Sequence, residues 1–314
     1  MMTTDPIPPF AILRTELSTL PPEQPVWPEG VPDLPLLDGH TPVERDDSRG
    51  AVHLDRFIGN ISVPGLFAYP AATASNTGVA VLVCPGGGYG GVAIDKEGHD
   101  LARFFNSIGV SAFVLKYRVP APDDRHGLLT YAPLRDAQRS LRLIRSKAKD
   151  LGINPSRVGI MGFSSGGHLA ATASTLFDDA PESAPALKQF SARPDFTILV
   201  YPVISITQEF MHSGSRLRLL GPNPDPVLNR KFSPETQVKE DTPPCLLIHT
   251  GDDSVPVQNS IAYYQAAQKA KVPAEMHLFA AGGHGYGMKK RGLPIDTWTD
   301  RVKDWISSTV LTLP

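Results

Sequence analysis

A serine set between two glycines, Gly162-Phe163-Ser164-Ser165-Gly166, stands directly after the apolar run VGIM and directly before the small-residue run GGHLAATAS. The pattern G-x-S-x-G between a strand and a helix is a nucleophile elbow, in which a strained backbone lifts the serine hydroxyl above the sheet. A serine hydroxyl is a poor nucleophile near neutral pH, so a base must take its proton during attack. Of the nine histidines, His284 alone follows the last strand-like run, AEMHLFA, in a glycine-rich loop (Ala-Gly-Gly-His-Gly-Tyr-Gly) that can carry an imidazole across to Ser164. His168, four residues after Ser164 on the small-residue helix, reads as a packed helix histidine.

An acid has to orient that imidazole and stabilise its charged form. Gly251-Asp252-Asp253-Ser254-Val255-Pro256, directly after the run CLLIHT, supplies two candidates. Counting from the strand end favours Asp253, and counting back from the proline favours Asp252. We place the acid at Asp253, with Asp252 as the alternative; the other carboxylate then serves a turn or a helix cap.

Attack on an ester builds negative charge on the carbonyl oxygen, and backbone N–H groups fixed in advance are the usual stabiliser. Cys84-Pro85-Gly86-Gly87-Gly88-Tyr89, after the run VAVLVC, is similar to an HGGG-type loop with proline in the histidine place. The N–H groups of Gly87, Gly88 and Ser165 are the expected oxyanion hole. Gly86-x-Gly88-x-x-Gly91 also satisfies the dinucleotide fingerprint, but that motif opens a helix at once and is followed by an acid after the next strand. Here the helix starts several residues later and the next strand ends in Lys116 and Arg118, so no nucleotide cofactor is expected. No H-E-x-x-H pattern and no Cys/His spacing point to a metal.

The elements that must position these residues follow from hydrophobic period. VAVLVC, VSAFVLKY, RVGIMGF, FTILVYP, CLLIHTG and AEMHLFA are short apolar runs that read as strands. Between them, helices are expected over 96–108, 133–151, 166–175 and 257–271, with a final amphipathic helix around 298–306. The alternation calls for an α/β fold with a doubly wound, mostly parallel sheet and helices on both faces. Ahead of it, AVHLDRF and NISVPGLFAYP read as an antiparallel hairpin. Ten of the 31 prolines lie in the first 42 residues, which makes 1–50 an irregular arm, packed through Trp27, and 51–314 the catalytic domain. Residues 203–241 read as a loop insertion over the top of the sheet. Too short for a large lid, it leaves a shallow, open acyl pocket.

With 41% hydrophobic and 20% charged residues, the 314-residue chain has an ordinary globular composition. A formal net charge of −2 argues against nucleic acid or an anionic membrane as partner. No apolar stretch reaches the roughly 18 residues of a membrane helix, and the N-terminus has no basic region followed by a long apolar run, so a cytoplasmic location is expected. Cys84 and Cys245 sit in strand-like runs and read as structural thiols rather than a disulfide.

CPGGGYGGVAIDKEG, FVLKYRVP, RVGIMGFSSGGHLAA, ARPDFTILVYPV, HTGDDSVPVQNS and VPAEMHLFAAGGHGYG together resemble a family of bacterial carbohydrate esterases related to acetyl xylan and feruloyl esterases, some of whose members are labelled xylanases. The resemblance implies a single α/β-hydrolase domain, no cofactor, and removal of acyl groups, often acetyl, from plant-type polysaccharides or their oligomers. It places the nucleophile at Ser164, the base at His284 and the acid within Asp252-Asp253. A small-molecule or oligosaccharide ester is then the substrate, with a general short-chain carboxylesterase as the alternative. Tyr89 and Tyr286, beside the two glycine loops, are candidates for stacking on a pyranose ring. A glycosidase is not expected, because no pair of carboxylates stands in a recognisable setting for cleaving a sugar bond.

Overall fold

Buried apolar runs build the sheet that carries the site. The protein is described by a computed structural model over residues 7–32, 41–119, 130–177, 179 and 184–313; parts of the expected N-terminal arm, residues 1–6 and 33–40, lie outside the described residues. In chain order the strands are β1 (Glu23–Pro25), β2 (Val43–Asp46), β3 (Arg56–Gly59), β4 (Gly65–Tyr69), β5 (Ala80–Cys84), β6 (Gly91–Ala93), β7 (Ser111–Lys116), β8 (Val158–Phe163), β9 (Thr197–Val200), β10 (Cys245–Thr250) and β11 (Ala274–Phe279). The helices are α1 (Asp100–Ser107), α2 (Ala132–Ser146), α3 (Ser164–Thr175), α4 (Ser213–Leu220), α5 (Pro226–Lys231), α6 (Gln258–Lys269) and α7 (Trp298–Ser308).

Eight strands form one sheet in the order β1-β4-β7-β5-β8-β9-β10-β11, parallel from β7 to β11 and antiparallel at the β1-β4 edge. Every residue of β5, β8, β9 and β10 is buried, as expected of strands covered on both faces by helices. Fully burying each Val, Leu or Ile in them is worth roughly 1.5–3 kcal/mol. β11 closes the far edge with a mixed pattern of exposure. From β5 the chain runs on to β7 on one side and then, through α2, crosses back to β8 on the other. Crevices in open α/β sheets form outside the carboxyl ends of strands at such a switch point.

Three expectations change. AVHLDRF and NISVPGLFAYP do not pair with each other: β3 pairs with β2 and β6 in a separate three-stranded sheet, while β4 joins the main sheet between β1 and β7. Alternating patterns mark strands without naming their partners, and here each run finds a longer-range one. The N-terminal arm is not irregular throughout, since β1 is an edge strand of the main sheet. Trp27 beside it is buried, its Nε1–H donating to Asp136 Oδ1 (2.7 Å) with the Arg139 guanidinium 4.2 Å above its ring. Residues 203–241 are not only loop, because α4 and α5 form within them. Helix α5 is opened by Asp225, whose carboxylate accepts the N–H of Val227 (2.6 Å), followed by Pro226 at its first position. Cys84 and Cys245 are free and buried, as expected, with burial pushing the Cys245 thiol up to about 12.

Candidate active site

Five loops at the carboxyl ends of β5, β8, β9, β10 and β11 meet over the switch point. Ser164 follows β8 with φ of 50°, the left-handed region that L-residues rarely occupy. The glycines around it are required by contact. A Cβ on Gly162 would lie 2.0 Å from Gly166 O, and one on Gly166 would lie 2.1 Å from Cys84 O. The elbow closes this tightly because its flanking positions carry no side chain.

His284 Nε2 lies 2.9 Å from Ser164 Oγ, and His284 Nδ1 lies 2.8 Å from Asp253 Oδ1. Gly283, Gly285 and Gly287 all have positive φ, which lets the loop after β11 alternate tightly around the imidazole. Asp253 Oδ1 also accepts the N–H of Val255 (2.7 Å), and His249 stands 3.5 Å from Oδ2. Burial raises the Asp253 pKa, but the hydrogen bonds of His249 and His284, the His284 charge and the Val255 N–H outweigh it and hold the carboxyl below its ordinary value. Asp252 turns elsewhere: its carboxylate accepts the N–H groups of Gly283 (2.8 Å) and Gly282 (3.0 Å), which lower its pKa. The structure therefore brings Ser164, His284 and Asp253 into one hydrogen-bonded chain and gives Asp252 to the backbone of the histidine loop. Such a chain can carry a proton off a nucleophilic hydroxyl.

Three of the four N–H groups from Gly86 to Tyr89 are spoken for. Gly86 donates to Glu97 Oε2 (2.6 Å), while Gly87 (3.1 Å) and Tyr89 (3.3 Å) converge on Ser165 Oγ. Among the described residues Gly88 N–H has no acceptor. Ser165 N–H, in the first turn of α3, belongs to the groups a helix leaves unbonded. Gly87 thus differs from its expected part: the hydroxyl of Ser165 holds Gly87 N–H. Gly88 and Ser165 remain as open donors.

Tyr89 and Tyr286 do not stand at the mouth. Each is 1% exposed. The Tyr89 hydroxyl is 2.7 Å from His168 Nδ1, and Tyr286 packs edge-on against Tyr201 at 4.5 Å between ring centroids. Neither ring offers a face to a ligand, because small neighbouring glycines let both fold inward. His168 is a packed residue: its Nε2–H donates to Phe232 O (2.7 Å) and burial lowers its pKa to about 4.

Glu97, Phe57 and His212 are among the further residues that line the cavity of about 320 Å³ opening at Ser164 and His284. Both the N–H and the hydroxyl of Ser215 point at His212 Nδ1 (3.2 and 2.8 Å), so its proton resides on Nε2. Burial, then the charges of His284 and Arg218, hold the His212 pKa below its ordinary value and keep the ring neutral. Arg218, from the same helix α4, donates to Gly88 O (3.2 Å). Glu97 stood next to the glycine loop in the sequence, yet no motif marks it. His212 lies 48 residues after Ser164 and Phe57 107 residues before it, in no shared pattern, and only the fold gathers them. Among the described residues no cluster of His, Cys, Asp and Glu could hold a metal, and no helix is long and apolar enough to cross a membrane.

Residues 67–267 match the BD-FAE family. The chain is 39% identical over 227 residues to endo-1,4-beta-xylanase B of Butyrivibrio fibrisolvens, covering 71% of this chain and 34% of that protein. It is 37% identical over 216 residues to an acetylxylan esterase of Xylanibacter ruminicola, covering 67% of this chain and 42% of that protein. The chain thus spans less than half the length of these curated relatives. An acetyl ester-xyloside bifunctional hydrolase from Caldicellulosiruptor lactoaceticus superimposes with a TM-score of 0.77 at 39% identity, over 92% of this chain and 97% of that one. With this match over most of its sheet, the chain belongs to the BD-FAE family and has the α/β-hydrolase fold.

Proposed function

We propose that this protein is a serine esterase that removes short acyl groups, acetyl foremost, from carbohydrates through an acyl-enzyme intermediate. The observation that carries the reading is the unbroken hydrogen-bonded chain Ser164–His284–Asp253 opening into a cavity beside two unengaged N–H donors. In the proposed mechanism Ser164 Oγ attacks the ester carbonyl while its proton passes to His284 Nε2. The developing oxyanion accepts the N–H groups of Gly88 and Ser165. His284 then returns the proton to the departing alcohol oxygen, leaving acyl-Ser164, and a water activated by the same imidazole releases the acid. Asp253 stays ionised throughout and holds the imidazole in the tautomer that faces Ser164.

The substrate class rests on the relatives and on the cavity. An acetylxylan esterase and an acetyl ester-xyloside hydrolase are among the relatives. The cavity volume of about 320 Å³ is at the small end for ligand sites, which suits an acetyl group better than a long acyl chain. On its wall, His212 Nε2–H offers a donor for an alcohol that carries hydroxyl or ring oxygens, and a sugar does. The test is kcat/KM for acetylated xylo-oligosaccharides beside p-nitrophenyl acetate, butyrate and octanoate. We expect sugar deacetylation and a fall in rate from acetate to octanoate. Nitrophenyl ester turnover with no sugar deacetylated, or rates rising with acyl length, favours a general short-chain carboxylesterase instead.

A further inference from the structure

The π-helical turn Asp95–His99 reaches both loops that the chemistry needs. Its residue Glu97 is 3% exposed and has no cation on it among the described residues. Glu97 Oε2 accepts the N–H of Gly86 at 2.6 Å, and Oε1 accepts the hydroxyl of Tyr201 at 2.9 Å. The Tyr201 oxygen in turn accepts the N–H of Gly287 at 3.0 Å, three residues beyond His284. Lys96 O accepts the N–H of Met288 (3.0 Å), so the same turn braces the histidine loop a second time. Gly287 is bare for that reason, since a Cβ there would lie 2.6 Å from Lys96 O.

Tyr201 is itself unusual. It directly follows β9, is fully buried, and has φ of 37°, a conformation that persists only when its surroundings hold it. Its ring lies edge-on to His284, 4.9 Å between centroids at 60°. Burial and, next, the Glu97 carboxylate push the Tyr201 phenol well above its ordinary range, so it keeps its proton and donates to Glu97. Gly86 is equally committed: a Cβ on it would lie 2.8 Å from Ser164 Cβ and 2.9 Å from Glu97 Oε2.

Resting on the ester-hydrolase reading, we infer that Glu97 is a positioning residue that sets two parts of the site in register: through Gly86 it fixes the loop carrying the Gly88 donor, and through Tyr201 and Gly287 it fixes the loop carrying His284. π-Type turns inside helices recur at functional sites, and this one gives one carboxylate a reach to both loops. A glutamine at 97 keeps the size but has only one acceptor oxygen; its NH₂ group cannot accept from Gly86 N–H or from the Tyr201 hydroxyl. With its oxygen on Gly86 N–H, its NH₂ can only donate to the Tyr201 oxygen, and the Tyr201 O–H loses its acceptor; turned the other way, Gly86 N–H loses its acceptor, so either orientation breaks one of the two bonds that hold the loops. A misplacement of about 1 Å at such a site costs on the order of 10² in rate. The effect belongs in kcat, because the anchors act on groups used at the transition state and not on substrate binding.

The experiment uses the whole chain with p-nitrophenyl acetate, comparing wild type, E97Q, Y201F and E97Q/Y201F, with melting temperature recorded for each. We expect kcat to fall on the order of 10²-fold in E97Q and about tenfold in Y201F, with KM changed less than about threefold. In the double variant the loss should be smaller than the product of the two, since both break one chain. Wild-type kcat in folded E97Q, or losses that multiply, overturns the inference. If E97Q does not fold, Y201F decides: it keeps the ring and removes only the oxygen, so an unchanged kcat sinks the proposal. Labelling of Ser164 by a fluorophosphonate separates the two claims. A wild-type protein that neither reacts with it nor turns over ester fails the hydrolase reading itself.

Discussion

Asp253 Oδ1 lies 2.8 Å from His284 Nδ1, while the carboxylate of the adjacent Asp252 holds the N–H groups of Gly283 and Gly282. Two neighbouring carboxylates thus grip one loop in two ways, one by its imidazole and one by its backbone. The arrangement separates their variants in kinetics. D253N should lower kcat by about 10⁴, the scale of loss when a triad carboxylate can no longer hold the base in its tautomer. D252N keeps one acceptor oxygen on an exposed loop and should lower kcat less than about tenfold. Steady-state turnover of p-nitrophenyl acetate decides, and a reversed ranking would make Asp252 the acid.

Ser164 combines chemistry with a backbone cost. S164A and H284A should abolish nearly all esterase activity, and the double variant should be little worse than either, because the members act as a unit. S164G should be as inactive as S164A yet more stable by about 1 kcal/mol, since glycine takes a φ of 50° without strain. Urea unfolding of the two inactive proteins measures the difference. Equal midpoints would mean that the elbow stores no strain at this residue.

His212 should matter for the alcohol and not for the acyl group. In H212A the ratio of kcat/KM for acetylated xylo-oligosaccharides to that for p-nitrophenyl acetate should fall about tenfold, the worth of one good hydrogen bond. H212Q, which places an N–H donor near the position of Nε2, should recover part of the ratio. A ratio that does not move would leave His212 as a wall of the cavity and nothing more.

Acid should weaken the fold through two buried histidines. Burial lowers the pKa of His168 from 6.5 to about 4; burial, then Arg56 and Arg103, lowers that of His99 to about 3. Each contributes stability that is complete above pH 6.5 and is lost as pH falls through those values, because the unfolded chain binds the proton first. Asp100 works the other way: burial raises its pKa from 3.8 to about 7, so its contribution is complete below pH 3.8 and is lost as pH rises through 7. Between pH 6.5 and 4 these groups leave the unfolded state ahead by about one proton, two from the histidines against one from Asp100. Stability should fall by ~1.4 kcal/mol per pH unit in that window. Melting temperatures at pH 6.5 and 4.5 test this, and H168Q should flatten the slope. A wild-type melting temperature that rises toward pH 4.5 contradicts the assignment.

Much of the fold and the core of the site were legible in the sequence because they are local. The continuous apolar runs of β5, β8, β9 and β10 announce strands buried on both faces, and the glycines at 162 and 166 mark a turn too tight for any Cβ. Both signals lie within a few residues of the feature they encode. The order of Ser164, the aspartate pair and His284 along the chain follows from the strands that precede them. What tertiary structure alone decided is where side chains on irregular backbone point. Asp252 and Asp253 differ by one position, and only the packing of the β10 and β11 loops turns one to the imidazole and the other to the backbone. Tyr89 and Tyr286 look like mouth residues beside their glycines, but burial of a large ring outweighs its exposure, and both fold inward. Glu97, Phe57 and His212 meet across separations that no local period spans, so their shared cavity is a property of the folded sheet and not of any stretch of the chain.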